Sequence, residues 1–102
     1  MTSVAERGVQ LSTDTLGTLA VRGALSFDTA AGAFHAIETA LVEGSVDRLD
    51  LAGVTHSDSA GLACVLAVVA AASRRGRRLE VTHMPTGMRV LAQVCEVDRL
   101  MA

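Results

Sequence analysis

The 102-residue chain contains no lysine, tryptophan or tyrosine, and its two aromatic side chains are Phe27 and Phe34. The absence of lysine excludes a P-loop lysine, a lysine Schiff base and a lysine general base. The scarcity of aromatic rings excludes stacking platforms for single-stranded nucleic acid. The chain has nine arginines and 11 acidic residues, so its formal net charge is −2. It therefore lacks the excess of basic residues that is typical of a nucleic-acid binder. We therefore expect no nucleic-acid partner.

Cysteine is also scarce, and long apolar runs are absent. Cys64 and Cys95 are too few and too far apart for a disulfide framework or a cysteine-rich metal site. We expect both to be buried, reduced thiols, which are typical of a reducing compartment. The longest uncharged helical stretch, residues 60–73, is shorter than the roughly 20 residues that span a bilayer. Residues 1–10 carry no apolar run, so the sequence predicts a cytoplasmic protein with no signal peptide and no membrane insertion.

Strand and helix patterns alternate along the chain, in the order β-β-α-β-α-β-α. Such alternation is typical of an α/β layer structure whose sheet is at least partly parallel. The length fits one domain over residues 1–102. Gly23 is expected to end or kink the second strand, and Gly53 and residues 55–58 to break the third. The predicted strands are Val9–Ser12, Thr18–Arg22, Arg48–Leu51 and Leu79–Thr82, and the predicted helices are Thr29–Glu43, Ala60–Arg75 and one opened by Pro85.

The polar turn before the second helix is the most informative segment. Ser57, Asp58 and Ser59 can each cap a helix, and we expect the cap to be Ser59 or Asp58. The helix that follows is apolar over much of its circumference, so it is either buried on several sides or in contact with a partner. A helix start also tolerates the added negative charge of a phosphate. From the local pattern alone, a simple capping role is the favoured interpretation of Ser59.

Other polar clusters give weaker signals. Arg74, Arg75, Arg77 and Arg78 could form an anion site for lipid head groups or acidic partners, but a solvated helix end is the favoured interpretation. The three histidines lack metal-ligand spacing, so no metal site is expected. His56, Asp58 and Ser59 have the residue types of a hydrolase triad, yet no Gly-x-Ser-x-Gly elbow surrounds them. No dinucleotide motif follows a strand, so we expect no catalytic residue and no cofactor.

Two motifs resemble a known family. Asp50-Leu51-Ala52-Gly53-Val54, followed by Asp58-Ser59-Ala60-Gly61-Leu62, is similar to the signature of STAS domains, which include anti-sigma-factor antagonists. Residues 61–66, 75–79 and 91–100 resemble the MlaB-type STAS subunits of phospholipid ABC transporters. The similarity runs from about Val9 to Met101. It implies a single STAS-like domain, with a small mixed sheet and helices packed mainly on one of its faces.

The resemblance also implies a function. An MlaB-type subunit is non-enzymatic and binds the cytoplasmic ATPase of a transporter that maintains outer-membrane lipid asymmetry, which holds it at the inner membrane. The alternative is an anti-sigma-factor antagonist that binds a kinase-type anti-sigma factor until Ser59 is phosphorylated. Antagonists often carry Ser or Thr after the acceptor, and Ala60 mildly favours the transporter branch. Both branches place Ser59 at the partner contact, on an expected surface of His56, Ser57, Asp58, Ser59, Ala60, Gly61, Leu62 and Ala63.

Overall fold

The computed structural model of the chain, which describes residues 2–6 and 9–101, contains one five-stranded mixed sheet. The strands lie in sequence order across the sheet; the first two pairings are antiparallel and the last two parallel. The strands are β1 Thr2–Glu6, β2 Val9–Ser12, β3 Thr18–Leu25, β4 Arg48–Ser57 and β5 Glu80–Thr82. The helices are α1 Ala30–Glu43, α2 Ser59–Arg74 and α3 Thr86–Val94, followed by a 3₁₀ turn over Asp98–Met101.

The predicted mixed α/β fold is confirmed, with two corrections. The prediction omitted β1, which pairs with β2 and precedes the first strand that was expected. It also ended the strands β3 and β4 too early. β3 passes through Gly23, whose φ of 101° lies in the left-handed region, and β4 passes through Gly53. The β3–β4 register shifts near both glycines, so these residues mark irregularities within strands and not their ends.

Helices α1 and α2 lie on the same face of the sheet. Helix α1 connects the parallel neighbours β3 and β4, and α2 connects β4 and β5. Both crossovers move across the sheet in the same direction, and right-handed crossovers of this kind place their helices on the same face. The opposite face exposes strand residues such as Gln10, Arg22 and Ala52. Apolar side chains from the helix-facing side of the sheet and from the helices form the core, among them Val9, Leu19, Val21, Leu25, Leu49, Leu51, Ile37, Val65, Val68 and Met88.

Helix α2 is the most buried helix, as its sequence predicts. It packs against α1, β4, α3 and the 3₁₀ turn, so its apolar faces are covered on several sides. Cys64 lies in this interior, and burial raises the pKa of its thiol to about 11. Cys95 is exposed, which corrects the expectation of two buried thiols, because α3 ends at Val94 and Cys95 is its C-cap. None of the helices described has the length and apolar character that a membrane span requires.

The arginines near the end of α2 have separate structural roles. The Arg77 guanidinium donates hydrogen bonds to the carbonyl oxygens of Leu41, at 2.7 Å, and Val46, at 2.6 Å. Arg75 lies 3.5 Å from the Glu38 carboxylate. Arg77 thus holds the α1–β4 connection against the loop after α2. These contacts give Arg75 and Arg77 structural roles. They favour neither the anion site nor, for the partly buried Arg77, the solvated helix end.

We expect Arg77→Ala to destabilise the domain. The two carbonyl oxygens would lose their charged donor, and an unsatisfied buried polar group costs about 1–3 kcal/mol. The expected loss in the free energy of unfolding is about 2–4 kcal/mol, measured by urea denaturation. Arg74→Ala is the matched control, because Arg74 is exposed on the last turn of α2 and its loss should cost under about 1 kcal/mol. Coincident unfolding curves for the two variants would contradict this role of Arg77.

Candidate protein docking site

The carboxyl ends of β3 and β4 lie side by side at one edge of the sheet. The two strands are parallel, and Leu25 at the end of β3 pairs with Ser57 at the end of β4. The loop from β3 to α1 and the junction from β4 to α2 therefore meet, although about 30 residues separate them in the sequence. Carboxyl ends of parallel strands are the edge where α/β proteins place their functional residues.

The Asp58 carboxylate joins these two segments. One oxygen, Oδ1, accepts the backbone N–H of Gly61 at 3.1 Å and caps α2. The other, Oδ2, accepts the backbone N–H of Phe27 in the β3–α1 loop, also at 3.1 Å. These N–H donors, that of Phe27 first and then that of Gly61, lower the pKa of Asp58 from its usual value of 3.8. Asp58 is thus ionised at neutral pH and fixes the geometry of the edge.

Thr29 braces the same loop from its other side. The Thr29 hydroxyl accepts the N–H of Ser26 at 2.9 Å and donates to the carbonyl oxygen of Ala24 at 2.8 Å. The Thr29 N–H also bonds to the Ser26 carbonyl at 3.0 Å. Thr29 occupies the N-cap position of α1, but its side chain serves the loop and not the helix. The loop is therefore held at both ends by hydrogen bonds.

Ser59 is the first residue of α2 and is exposed. Because Asp58 takes the cap, the Ser59 hydroxyl has no hydrogen-bond partner among the residues that the structure describes. Asp58, and not Ser59, is the N-cap of α2. The prediction from the local sequence that Ser59 is simply a helix cap is therefore wrong. The hydroxyl stands at the positive end of the helix dipole, where an anion or an acceptor group is favoured.

The expected partner surface is divided by burial. His56, Ser59 and Ala63 are exposed, and Ser57, Asp58 and Ala60 are partly exposed. Gly61 and Leu62 are buried, which corrects their assignment to the surface: Leu62 is only 4% exposed and belongs to the core. Gly61 faces β3, where an added methyl group would collide with the carbonyl oxygen of Leu25. Residues 61 and 62 lie on the inward face of α2, because they share helical spacing with the buried Val65 and Val68.

Asp58→Asn should lower the melting temperature by several degrees at pH 7, since an amide has one acceptor oxygen where the carboxylate uses two. The pKa of Asp58 is lower in the folded state than in the unfolded state, where it is near 4. The ionised carboxylate therefore stabilises the fold above about pH 4, and this stabilisation is lost as the pH falls through the folded-state pKa. The melting difference between wild type and Asp58→Asn should therefore shrink below about pH 4. A difference that stays constant from pH 7 to pH 2 would contradict this role.

Sequence reasoning missed Phe27 as a site residue. Phe27 is 82% exposed and lies in the loop that Asp58 and Thr29 hold in place. A signal was present in the sequence, because Phe27 is one of two aromatic residues and lies outside every predicted strand and helix. The contact of its backbone with Asp58 was not visible in the sequence, since that contact depends on the parallel pairing of β3 with β4.

The other polar candidates do not form a second site. His83 pairs with Asp50, with 2.9 Å between its Nδ1 and the carboxylate Oδ1. Within residues 2–6 and 9–101, no three or more His, Cys, Asp or Glu side chains are grouped so that they could hold a metal ion. Asp58, the acid of the considered hydrolase triad, has both oxygens engaged by backbone N–H groups.

The structure is a small α/β domain in which Asp58 and Thr29 hold the β3–α1 loop next to the start of α2. An exposed serine is the first residue of that helix. The family model described as "Mlab, STAS domain" matches residues 9–102, so the chain belongs to the MlaB-type STAS domain family. This membership and the fold make it a STAS regulatory protein. No curated protein matches the sequence.

Two solved structures share the fold. The Bacillus cell fate determinant SpoIIAA in its phosphorylated form has a TM-score of 0.66 at 22% identity, over 92% of this chain and 88% of that chain. The anti-sigma factor antagonist SpoIIAA in its unphosphorylated form has a TM-score of 0.69 at 21% identity, over 92% and 85% of the respective chains. At such identities the likeness concerns the fold alone.

Proposed function

We propose that this chain is a non-enzymatic regulatory and assembly subunit that binds the ATPase of an Mla-type phospholipid ABC transporter. In this proposal it is cytoplasmic and reaches the inner membrane through its partner. The observation that carries the proposal is that Ser59 is exposed at the start of α2, because Asp58 and not Ser59 caps the helix. Asp58 also holds the neighbouring β3–α1 loop in place. The MlaB-type family model and the alanine at position 60 support the transporter branch.

The geometry suits docking better than turnover. The edge combines exposed apolar surface, at Phe27 and Ala63, with polar groups at His56 and Ser59, and an apolar centre with a polar rim is typical of protein interfaces. The Asp58 carboxylate is occupied by two backbone donors, so it serves to hold the surface in one shape. A pre-organised surface loses little conformational entropy on binding.

The second candidate function is that of an anti-sigma-factor antagonist. It is favoured by the fold shared with SpoIIAA, which has been solved with and without its phosphate. A phosphate on Ser59 would lie at the N-terminus of α2, where the helix dipole favours it. Such a phosphate would also add charge to the docking edge and release a partner that buries this edge.

The test is a binding measurement with two purified probes from the same organism. One is the ATPase subunit of the Mla-type transporter and the other is the kinase-type anti-sigma factor. We expect a stable complex with the ATPase in calorimetry and in gel filtration, and no complex with the anti-sigma factor. Binding to the anti-sigma factor alone would overturn the transporter proposal in favour of the second candidate. Binding to neither probe would overturn both.

A further inference from the structure

Phe27 is an exposed aromatic residue in a loop that hydrogen bonds hold in one shape. It is 82% exposed, although burying a phenylalanine is worth about 1.5–3 kcal/mol. The surrounding loop is not free to fold the ring inward. The Phe27 N–H is bound by Asp58, and the neighbouring Ser26 N–H and carbonyl are bound by Thr29. Three hydrogen bonds therefore keep an apolar side chain in solvent, beside the Ser59 turn.

The two segments that meet at this edge carry charge of one sign. Asp28 follows Phe27 and is exposed, and the Asp58 carboxylate accepts the backbone N–H of Phe27. No arginine occurs in residues 24–31 or 52–63, and the arginine-rich segment 74–78 lies at the opposite end of the 16-residue helix α2. A surface that complements this edge has an apolar pocket with cationic side chains at its rim.

We propose that Phe27 is the anchor of the partner interface, that it inserts into an apolar pocket of the ATPase subunit rimmed by arginine or lysine, and that Asp58 positions it. This inference rests on the proposed function and adds the chemistry by which the partner is recognised. Aromatic anchors at the centre of an interface carry a large share of its binding energy. Asp58 connects the anchor to Ser59, because its two oxygens hold the Phe27 loop and the α2 start together.

The test compares two exposed apolar residues at opposite ends of β3. Phe27 follows the end of that strand, and Leu16, which is 97% exposed, precedes its start. With the purified ATPase subunit as the probe, Phe27→Ala should weaken binding at least about 30-fold, a loss typical of interface hot spots. Leu16→Ala should bind as wild type does. Phe27→Trp, which keeps an aromatic ring, should retain more affinity than Phe27→Ala.

Asp28→Asn tests the charge of the pocket rim. The variant should associate more slowly with the ATPase subunit than wild type at low salt, and its association rate should depend less on ionic strength. Unchanged rates at every salt concentration would overturn the cationic rim. Both Phe27→Ala and Asp28→Asn change exposed side chains, so circular dichroism and melting should match wild type.

The possible failures are distinguishable. If the wild-type chain binds the ATPase subunit and Phe27→Ala binds it equally well, the anchor is wrong and the proposed function stands. If Phe27→Ala and Leu16→Ala weaken binding to the same extent, the effect is not specific to this edge and the anchor is again wrong. If the wild-type chain does not bind the ATPase subunit, the proposed function fails, and the inference that rests on it fails as well.

Discussion

Replacing Ser59 with aspartate is expected to weaken binding of the ATPase subunit at least about 100-fold without unfolding the chain. The substitution puts a charge into an edge that the partner covers. Removing a charge from water costs several kcal/mol, and a cationic rim around Phe27 offsets this cost only in part. Folding should be spared, because Ser59 is exposed at the first position of α2 and negative charge is favourable at a helix N-terminus. Ser59→Arg should also weaken binding, with a small loss of helix stability.

Ser59→Ala is the matched control for this prediction. Since the cap is made by Asp58, removing the Ser59 hydroxyl should leave the melting temperature within a few degrees of wild type. The alanine adds no charge, so its effect on affinity should be much smaller than that of aspartate. Affinity is measured by calorimetry and folding by thermal melting. If Ser59→Asp binds the ATPase subunit as tightly as wild type, Ser59 is an ordinary surface residue.

Gly61→Ala is expected to lower the free energy of unfolding of the domain by about 3 kcal/mol or more. A β-carbon at this position would collide with the carbonyl oxygen of Leu25, which is backbone and cannot rotate away. Overpacking a core commonly costs about 1–3 kcal/mol, and a clash with the backbone lies at the upper end or beyond. The start of α2 would have to move off β3, which would also displace the docking edge.

The control is the same substitution in another helix. Gly87 is the second residue of α3, and a β-carbon added there meets nothing within 4 Å. Gly87→Ala should therefore leave stability unchanged or raise it by up to about 1 kcal/mol, because alanine has less freedom to lose on folding. Urea denaturation of both variants measures the contrast. If Gly61→Ala and Gly87→Ala have similar free energies of unfolding, the close contact of α2 with β3 at Gly61 is not required for stability.

Local patterns predicted the strands and helices and the ends of α1 and α2 to within one residue, but not the ends of β3 and β4. Period-two and helical spacing are local properties, so they predicted each helix and four of the five strands. Gly23 was expected to end or kink its strand and Gly53 to break its strand, because the sequence does not distinguish a strand end from a register shift inside a strand. β1 was missed because its short sequence has no clear strand pattern, and it forms a strand by pairing with β2.

The cap at α2 illustrates the same limit. Ser57, Asp58 and Ser59 are equivalent as capping residues by type, and the sequence left Asp58 and Ser59 as candidates. The choice of Asp58 depends on a second partner, the N–H of Phe27, which a parallel strand brings within reach. The burial of Leu62 likewise follows from the way α2 lies on the sheet.

By itself, the amino-acid sequence determined that this is one small α/β layer domain with an apolar second helix, a serine at its start and a STAS-like motif around it. These features are local in the chain, since they arise from residue type and spacing. The tertiary structure alone decided that Asp58 caps the helix, that Ser59 is exposed and does not make the cap, and that the loop of the exposed Phe27 is bound to Asp58. The reason is that β3 and β4 run parallel and end together, and a contact between segments about 30 residues apart leaves no pattern in either one.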